Sequence, residues 1–201
     1  MCLRKASVST PYPAFLPPPE SHEPRHWYVL RATYGRERAA YDYLTAHHVK
    51  VFCPMQKTMR LVDGKRRQVA EPLLRNLFFA FGTKAEMQQY VYDNVHLPFL
   101  RFYYRHVHGA REAEREPLIV PDEQMRTFMI ISTADDGGTF ITPDHIHLFE
   151  RGELVRVTQG KFAGVVGRVA QLKGQKRVGI YIDGVATVAT AYIPKAFLEK
   201  I

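Results

Sequence analysis

From Glu153 to Ile201 the chain is almost entirely short β-prone runs, Leu154–Thr158, Val165–Leu172, Arg177–Ile182 and Val185–Ile193, and no run there has helical spacing. Asp183-Gly184 joins the last two, a dipeptide that accepts the positive φ angles of a tight hairpin. Strands this short and this closely spaced leave exposed edges unless the sheet curls onto itself. The segment is therefore expected to form a small five-stranded barrel.

Within it lies Val157-Thr158-Gln159-Gly160-Lys161-Phe162-Ala163-Gly164-Val165-Val166-Gly167-Arg168-Val169, three glycines close to a lysine. A phosphate-binding loop needs GxxxxGK[ST] between a strand and a helix, so that free amides at a helix start face the anion. Here the spacing is GxxxGxxG, the lysine follows the first glycine, and a strand comes next. No βαβ unit surrounds it, so the dinucleotide fingerprint fails as well. A barrel corner accounts for the same residues: Gly160 and Gly164 supply unusual backbone angles on either side of Phe162, and Gly167 permits a bend or a close approach. Phe162 is expected to plug that corner, the alternative being an exposed stacking residue.

Upstream, residues 1–25 are rich in proline, including Pro17-Pro18-Pro19, and are read as a disordered or extended tail. Order is expected to begin at His26-Trp27-Tyr28-Val29-Leu30-Arg31-Ala32, where Trp27, Val29 and Arg31 alternate with Tyr28, Leu30 and Ala32. Arg36–His48 follows a helical period with Ala39, Ala40, Tyr43, Leu44 and His47 on one face. Val49–Pro54 is a short apolar run. Gln56–Val62 and Arg66–Pro72 flank Asp63-Gly64 as a basic hairpin, and Leu77–Phe81 reads as a central strand ended by Gly82. Lys84–Asn94 predicts a second helix, Leu100–Arg105 a further strand, and Asp122–Ile131 a short helix with acidic residues at its start. The expectation is an α+β chain. An antiparallel sheet flanked by helices occupies residues 26–131, a flexible linker containing Asp135-Asp136-Gly137-Gly138 occupies 132–150, and the barrel occupies 151–201.

Composition narrows the partners. The chain has 201 residues with 28 Lys and Arg against 20 Asp and Glu, a net charge of +8, which favours polyanions such as nucleic acid. No window approaches the length of a membrane span, and no apolar core of a secretory signal is present near the start. The two cysteines, Cys2 and Cys53, form neither a disulfide framework nor a CxxC zinc pair, which fits a reducing cytoplasm. Cys53 with His47 or His48 lacks the partner spacing of a nucleophile and reads as a buried small hydrophobe. His145-Ile146-His147 has no further ligand near it in sequence, so no metal, no cofactor and no enzymatic activity are expected.

Gly152-Glu153-Leu154-Val155-Arg156-Val157 followed by Gly160–Val169 closely resembles a KOW motif, which makes the expected barrel SH3-like. His26-Trp27-Tyr28-Val29-Leu30 with Gly35 and Glu37, the hairpin, and Glu71-Pro72-Leu73-Leu74-Arg75-Asn76-Leu77-Phe78-Phe79-Ala80-Phe81 resemble the N-terminal domain of the NusG family. The hairpin and the final Val188–Pro194 look most like its specialised RfaH and UpxY types. One departure concerns the segment after the hairpin. Where the family has a proline-leucine-phenylalanine-proline-glycine/asparagine-tyrosine pattern, this chain has Pro72-Leu73-Leu74-Arg75-Asn76-Leu77.

The resemblance implies a transcription elongation and antitermination factor, operon-specific, that binds the clamp helices of RNA polymerase and suppresses pausing and termination. The matching polymerase-binding positions are Tyr28, Arg31, Leu74, Leu77 and Phe79. Arg36, Arg38, Lys65, Arg66 and Arg67, with Tyr43 as a stacking partner, are the candidates for contact with DNA phosphates or the non-template strand. On the KOW domain, Lys161, Phe162, Arg168, Lys173, Lys176 and Arg177 are the candidates for recruiting a ribosomal protein, a termination factor or RNA. The competing expectation is an RNA- or ribosome-binding KOW protein. The strand periodicity disfavours refolding of the C-terminal segment into helices.

Overall fold

The computed structural model of the protein describes residues 23–104, 116–134, 139–140, 152–172, 174–182 and 185–201. Residues 1–22 of the expected tail, most of the expected linker, Cys2, His145, His147, Lys173 and the Asp183-Gly184 turn lie outside them.

The first sheet is antiparallel, in the order β2 (Lys50–Phe52), β5 (Leu77–Gly82), β1 (His26–Ala32), β6 (Leu100–Phe102), with β7 (Ile119–Val120) also paired to β1. Alternation along β1 separates two faces, as the sequence predicts. Tyr28, Leu30 and Ala32 pack with Ala40 and Leu44 of α1 (Glu37–Ala46) and Met87 of α2 (Lys84–Gln88). Trp27 and Val29 pack with Met125, Phe128 and Ile131 of α3 (Asp122–Thr133). The apolar stripe of α1 is narrower than expected, because Ala39 and His47 are exposed and Tyr43 is only half-buried.

Local chemistry sets the element ends. Thr83 caps α2 reciprocally with Glu86: its hydroxyl accepts from the Glu86 N–H at 3.2 Å, and the Glu86 carboxylate accepts from the Thr83 N–H at 2.9 Å. The helix expected over Lys84–Asn94 divides at Gln88, where the α-helix gives way to a π-helical turn over Gln89–Asp93. Strands β3 (Met55–Val62) and β4 (Lys65–Pro72) form a separate two-stranded hairpin. Its turn has the positive φ angles expected of Asp63-Gly64, 51° and 72°.

The second sheet runs in the order β13 (Leu198–Lys200), β9 (Leu154–Val157), β10 (Val166–Leu172), β11 (Gln175–Ile182), β12 (Ala186–Ala189), β8 (Thr139–Phe140). Five of its strands come from the expected barrel segment. The sixth, β8, belongs to the expected linker and pairs with β12. Its core contains Val155, Val157, Val165, Val178, Ile182 and Val188, and Phe162, 2% exposed, closes the corner. Gly160 and Gly164 adopt φ of 81° and 88°, and the Gly164 N–H donates to Val157 O at 2.8 Å. At Gly167 a Cβ would stand 2.5 Å from the carbonyl oxygen of Gly179, so side-chain absence lets β10 and β11 meet. The glycines therefore shape a corner, and a strand follows them.

The two sheets are joined by α3. Its Met125, Phe128 and Ile131 belong to one apolar cluster that runs from Val29 and Phe79 of the first sheet to Val157 and Phe162 of the second. Thr127, 1% exposed, faces β10 on the same helix.

Candidate interaction surfaces

The face of the first sheet under α3 is sealed at its centre. Phe128 meets Phe79 and Phe52 edge-on, at ring separations of 5.3 and 5.9 Å. At the sheet's end the cover stops. The register places Leu77 of β5 opposite Arg31 of β1, and Arg31 opposite Arg101 of β6, so the three form one row across three strands. Leu77 and Leu74 are half-buried against the shared cluster, while Arg31 and Arg101 are exposed. An apolar shoulder beside two guanidinium groups can hold a partner that offers apolar and acidic side chains together.

Not every residue expected at that surface is on it. Tyr28 and Phe79 are 2% and 0% exposed and lie in different clusters, since β1 and β5 place Tyr28 opposite Ala80 and Val29 opposite Phe79. In this arrangement both are core. Burial also raises the Tyr28 phenol above its ordinary pKa, with Glu23 adding to it. Arg101 was absent from the expected set; its alternation with buried Leu100 and Phe102 is the signal that places it on the open face.

The basic candidates of the first domain occupy two places. Arg36 lies over the Phe99 ring at 5.1 Å, and Arg38 pairs with Asp42 one helical turn later at 3.0 Å. On the same helix Tyr43 stacks on His47 with ring centroids 4.1 Å apart, lies 5.7 Å from His96, and accepts from Asn94 Nδ2 at 3.2 Å. His47 and His96 thus extend an aromatic shelf of which sequence reasoning found only Tyr43. Lys65, Arg66 and Arg67 are exposed beside the hairpin turn. Pairing puts Lys65 opposite Val62 and Arg67 opposite Arg60 on one face, and Arg66 opposite Leu61 on the other. Glu71 forms an ion pair with Arg60 on the same face.

On the barrel Lys161, Arg168 and Lys176 are exposed. Arg168 donates to Gly152 O at 2.8 Å, and Lys161 Nζ lies 5.4 Å from the Phe162 ring. Arg177 is half-buried and donates to Thr190 O and Gln175 Oε1 at 3.4 and 3.2 Å. Phe162 plugs the core. A cleft of about 470 Å³ lies between the first turn of α3 and the barrel, lined by Glu123, Gln124, Leu154, Arg168, Ile180 and Tyr181 among others.

Cys53 is half-buried, and burial, followed by Glu37, pushes its thiol up to about 11 despite an opposing effect of Arg38, so it is not a thiolate at neutral pH. Among the described residues no group of three or more His, Cys, Asp and Glu side chains could hold a metal ion. No helix among them is long and apolar enough to cross a membrane.

Residues 25–129 match the family model described as NusG, "Transcription termination factor nusG". The solved structure titled "Domain interaction in Thermotoga maritima NusG" is 17% identical, with 89% of this chain and 98% of that chain covered and a TM-score of 0.42. No curated protein matches the chain.

Proposed function

The chain belongs to the NusG family of non-enzymatic transcription factors, and from that premise we propose that it is an operon-specific elongation factor of the RfaH/UpxY kind, acting in the cytoplasm to suppress pausing and termination. Membership of the family implies RNA polymerase as the partner. The observation that supports a polymerase contact is the open end of the first sheet, where Leu74 and Leu77 stand beside Arg31 and Arg101 while the centre of that face is covered by α3. The clamp helices of the polymerase dock there. Leu74 and Leu77 act as apolar anchors and Arg31 as the charged one, with Phe79 supporting them from beneath.

Nucleic acid runs over the opposite resource of the domain, its basic surface. Arg36 and Arg38 neutralise phosphates of the exposed non-template DNA strand, Tyr43 offers a base its face, and Lys65, Arg66 and Arg67 reach the backbone from the hairpin. Holding polymerase and strand together keeps the elongating complex closed. The barrel recruits a second partner, a ribosomal protein, a termination factor or RNA, through Lys161, Arg168, Lys173, Lys176 and Arg177.

Co-purification of the full-length protein with core RNA polymerase and with the isolated clamp helices tests this reading. Retention of both, lost on Leu77→Glu, is expected. Failure to bind the clamp helices with retention of structured RNA would instead establish an RNA- or ribosome-binding KOW protein.

A further inference from the structure

Tyr34 joins a large exposed ring to a left-handed backbone. It is 89% exposed, and its backbone sits in the left-handed region at φ 62° and ψ 31°, which side-chain-bearing residues avoid. Nothing apolar is buried in return for that conformation. The residues on either side of it are held by hydrogen bonds. Glu37, 6% exposed, turns its carboxylate inward to accept from the Asn76 N–H; Asn76, itself at φ 62°, accepts from the Gly35 N–H through Oδ1 at 3.2 Å; and Ala32 N–H donates to Asn76 O at 2.9 Å. Thr33 is tied to Phe99 O through both its N–H and its hydroxyl, at 3.1 and 3.3 Å. Strain held in place by so many bonds around an exposed ring marks a contact residue.

Three arginines lie on the loops that meet this turn. Arg36 lies over Phe99, and Arg101 donates to Pro98 O at 2.9 Å in the same turn. Arg75 precedes Asn76 and is exposed. The acids on this side are occupied, Glu37 by the Asn76 amide and Asp42 by Arg38. A solvent-facing aromatic ring on a held turn, with arginines on the adjoining loops that form no ion pair among the described residues, suits an unpaired base with phosphates on either side. In a duplex both base faces are already stacked, so a single strand is the fitting form.

We propose that Tyr34 is a base-stacking residue for single-stranded nucleic acid, presented by the strained turn that Glu37 and Asn76 hold, with Arg36 and Arg75 taking the flanking phosphates. The inference rests on the reading that the Arg36 and Arg38 surface holds nucleic acid, and it adds the residue that contacts a base.

The test uses the full-length chain and a fluorescent oligothymidylate, with Kd measured across a salt series for wild type, Tyr34→Gly, Tyr34→Phe and Arg36→Ala. Tyr34→Gly is expected to bind about tenfold more weakly with an unchanged salt slope. Its Tm is expected to stay the same or rise, since glycine accepts the left-handed conformation. Tyr34→Phe should bind as wild type, and Arg36→Ala should flatten the salt slope. Unchanged binding by Tyr34→Gly, while Arg36→Ala binds more weakly, overturns the stacking role and leaves the nucleic-acid reading standing. No binding by wild type overturns both. A lowered Tm for Tyr34→Gly would make the ring structural, and loss of polymerase binding with oligonucleotide binding intact would make it a protein contact; either result overturns the proposal.

Discussion

Thr127 of α3 holds the backbone of Val166 from both sides: its Oγ1 accepts from the Val166 N–H at 3.2 Å and donates to the Val166 carbonyl at 3.4 Å. The contact is the polar centre of an otherwise apolar seam between the first sheet's helix and the barrel. Thr127→Val keeps the shape and removes both bonds, leaving a Val166 N–H and C=O without their partner. A loss of about 1–3 kcal/mol is expected. Hydrogen exchange checks it, since the Val166 amide should exchange faster in the variant while the amides of β1 and β5 keep their protection.

The burial of Phe79 separates two substitutions that sequence reasoning would treat alike. Leu77→Glu places a charge on a half-buried shoulder and should leave the far-UV circular dichroism of the domain unchanged while abolishing polymerase binding. Phe79→Ala removes a fully buried ring between Phe52 and Phe128 and should cost about 3–5 kcal/mol in chemical denaturation. Equal stability loss for the two would place Leu77 in the core.

The barrel glycines should fail for different reasons. Gly167→Ala brings a methyl group against the Gly179 carbonyl, which can move only if β10 and β11 part, so a loss of about 1–3 kcal/mol is expected. Gly164→Ala has open space, and its penalty of about 1–2 kcal/mol comes from φ 88° alone. Substituting Asn at each position distinguishes them in denaturation curves. Asn, which tolerates the left-handed region, should recover part of the stability at position 164 and none at 167.

The raised pKa of Cys53 fixes the sign of an alkaline effect. The fold favours the neutral thiol, so its stabilising contribution is complete below the ordinary value of 9.0 and is lost as pH rises through about 11. In a Cys2→Ser background the remaining thiol should react slowly with a disulfide reagent at neutral pH and quickly once denaturant is added. Cys53→Ala should lose less stability than its parent over that alkaline interval. Fast reaction of the native protein would show that the thiol is accessible.

Sequence alternation and turn chemistry were enough to locate the longer strands, though not β7, β8 or β13. The Trp27/Val29/Arg31 and Tyr28/Leu30/Ala32 faces, the Asp63-Gly64 turn and the glycines of the barrel corner depend on local periodicity and backbone angles, which neighbouring residues largely determine. The site was less legible because it depends on register between distant strands. Nothing local says that Arg101 stands beside Arg31, or that α3 covers Phe79 and leaves Leu77 open. The same holds for β8, whose two residues look like linker until β12 pairs with them, and for the turn at Tyr34, whose next residue, Gly35, bonds to Asn76 in a loop distant in sequence.

Polymerase elongation in vitro tests the central claim most directly. Purified full-length protein is added to elongation complexes on a template with defined pause sites, and the dwell time at each pause is measured with wild type and with Leu77→Glu. Shorter pauses with wild type and no change with Leu77→Glu are the result this account predicts. Pausing that wild type leaves unaltered, on templates carrying candidate target leader sequences as well as on a generic one, would contradict it.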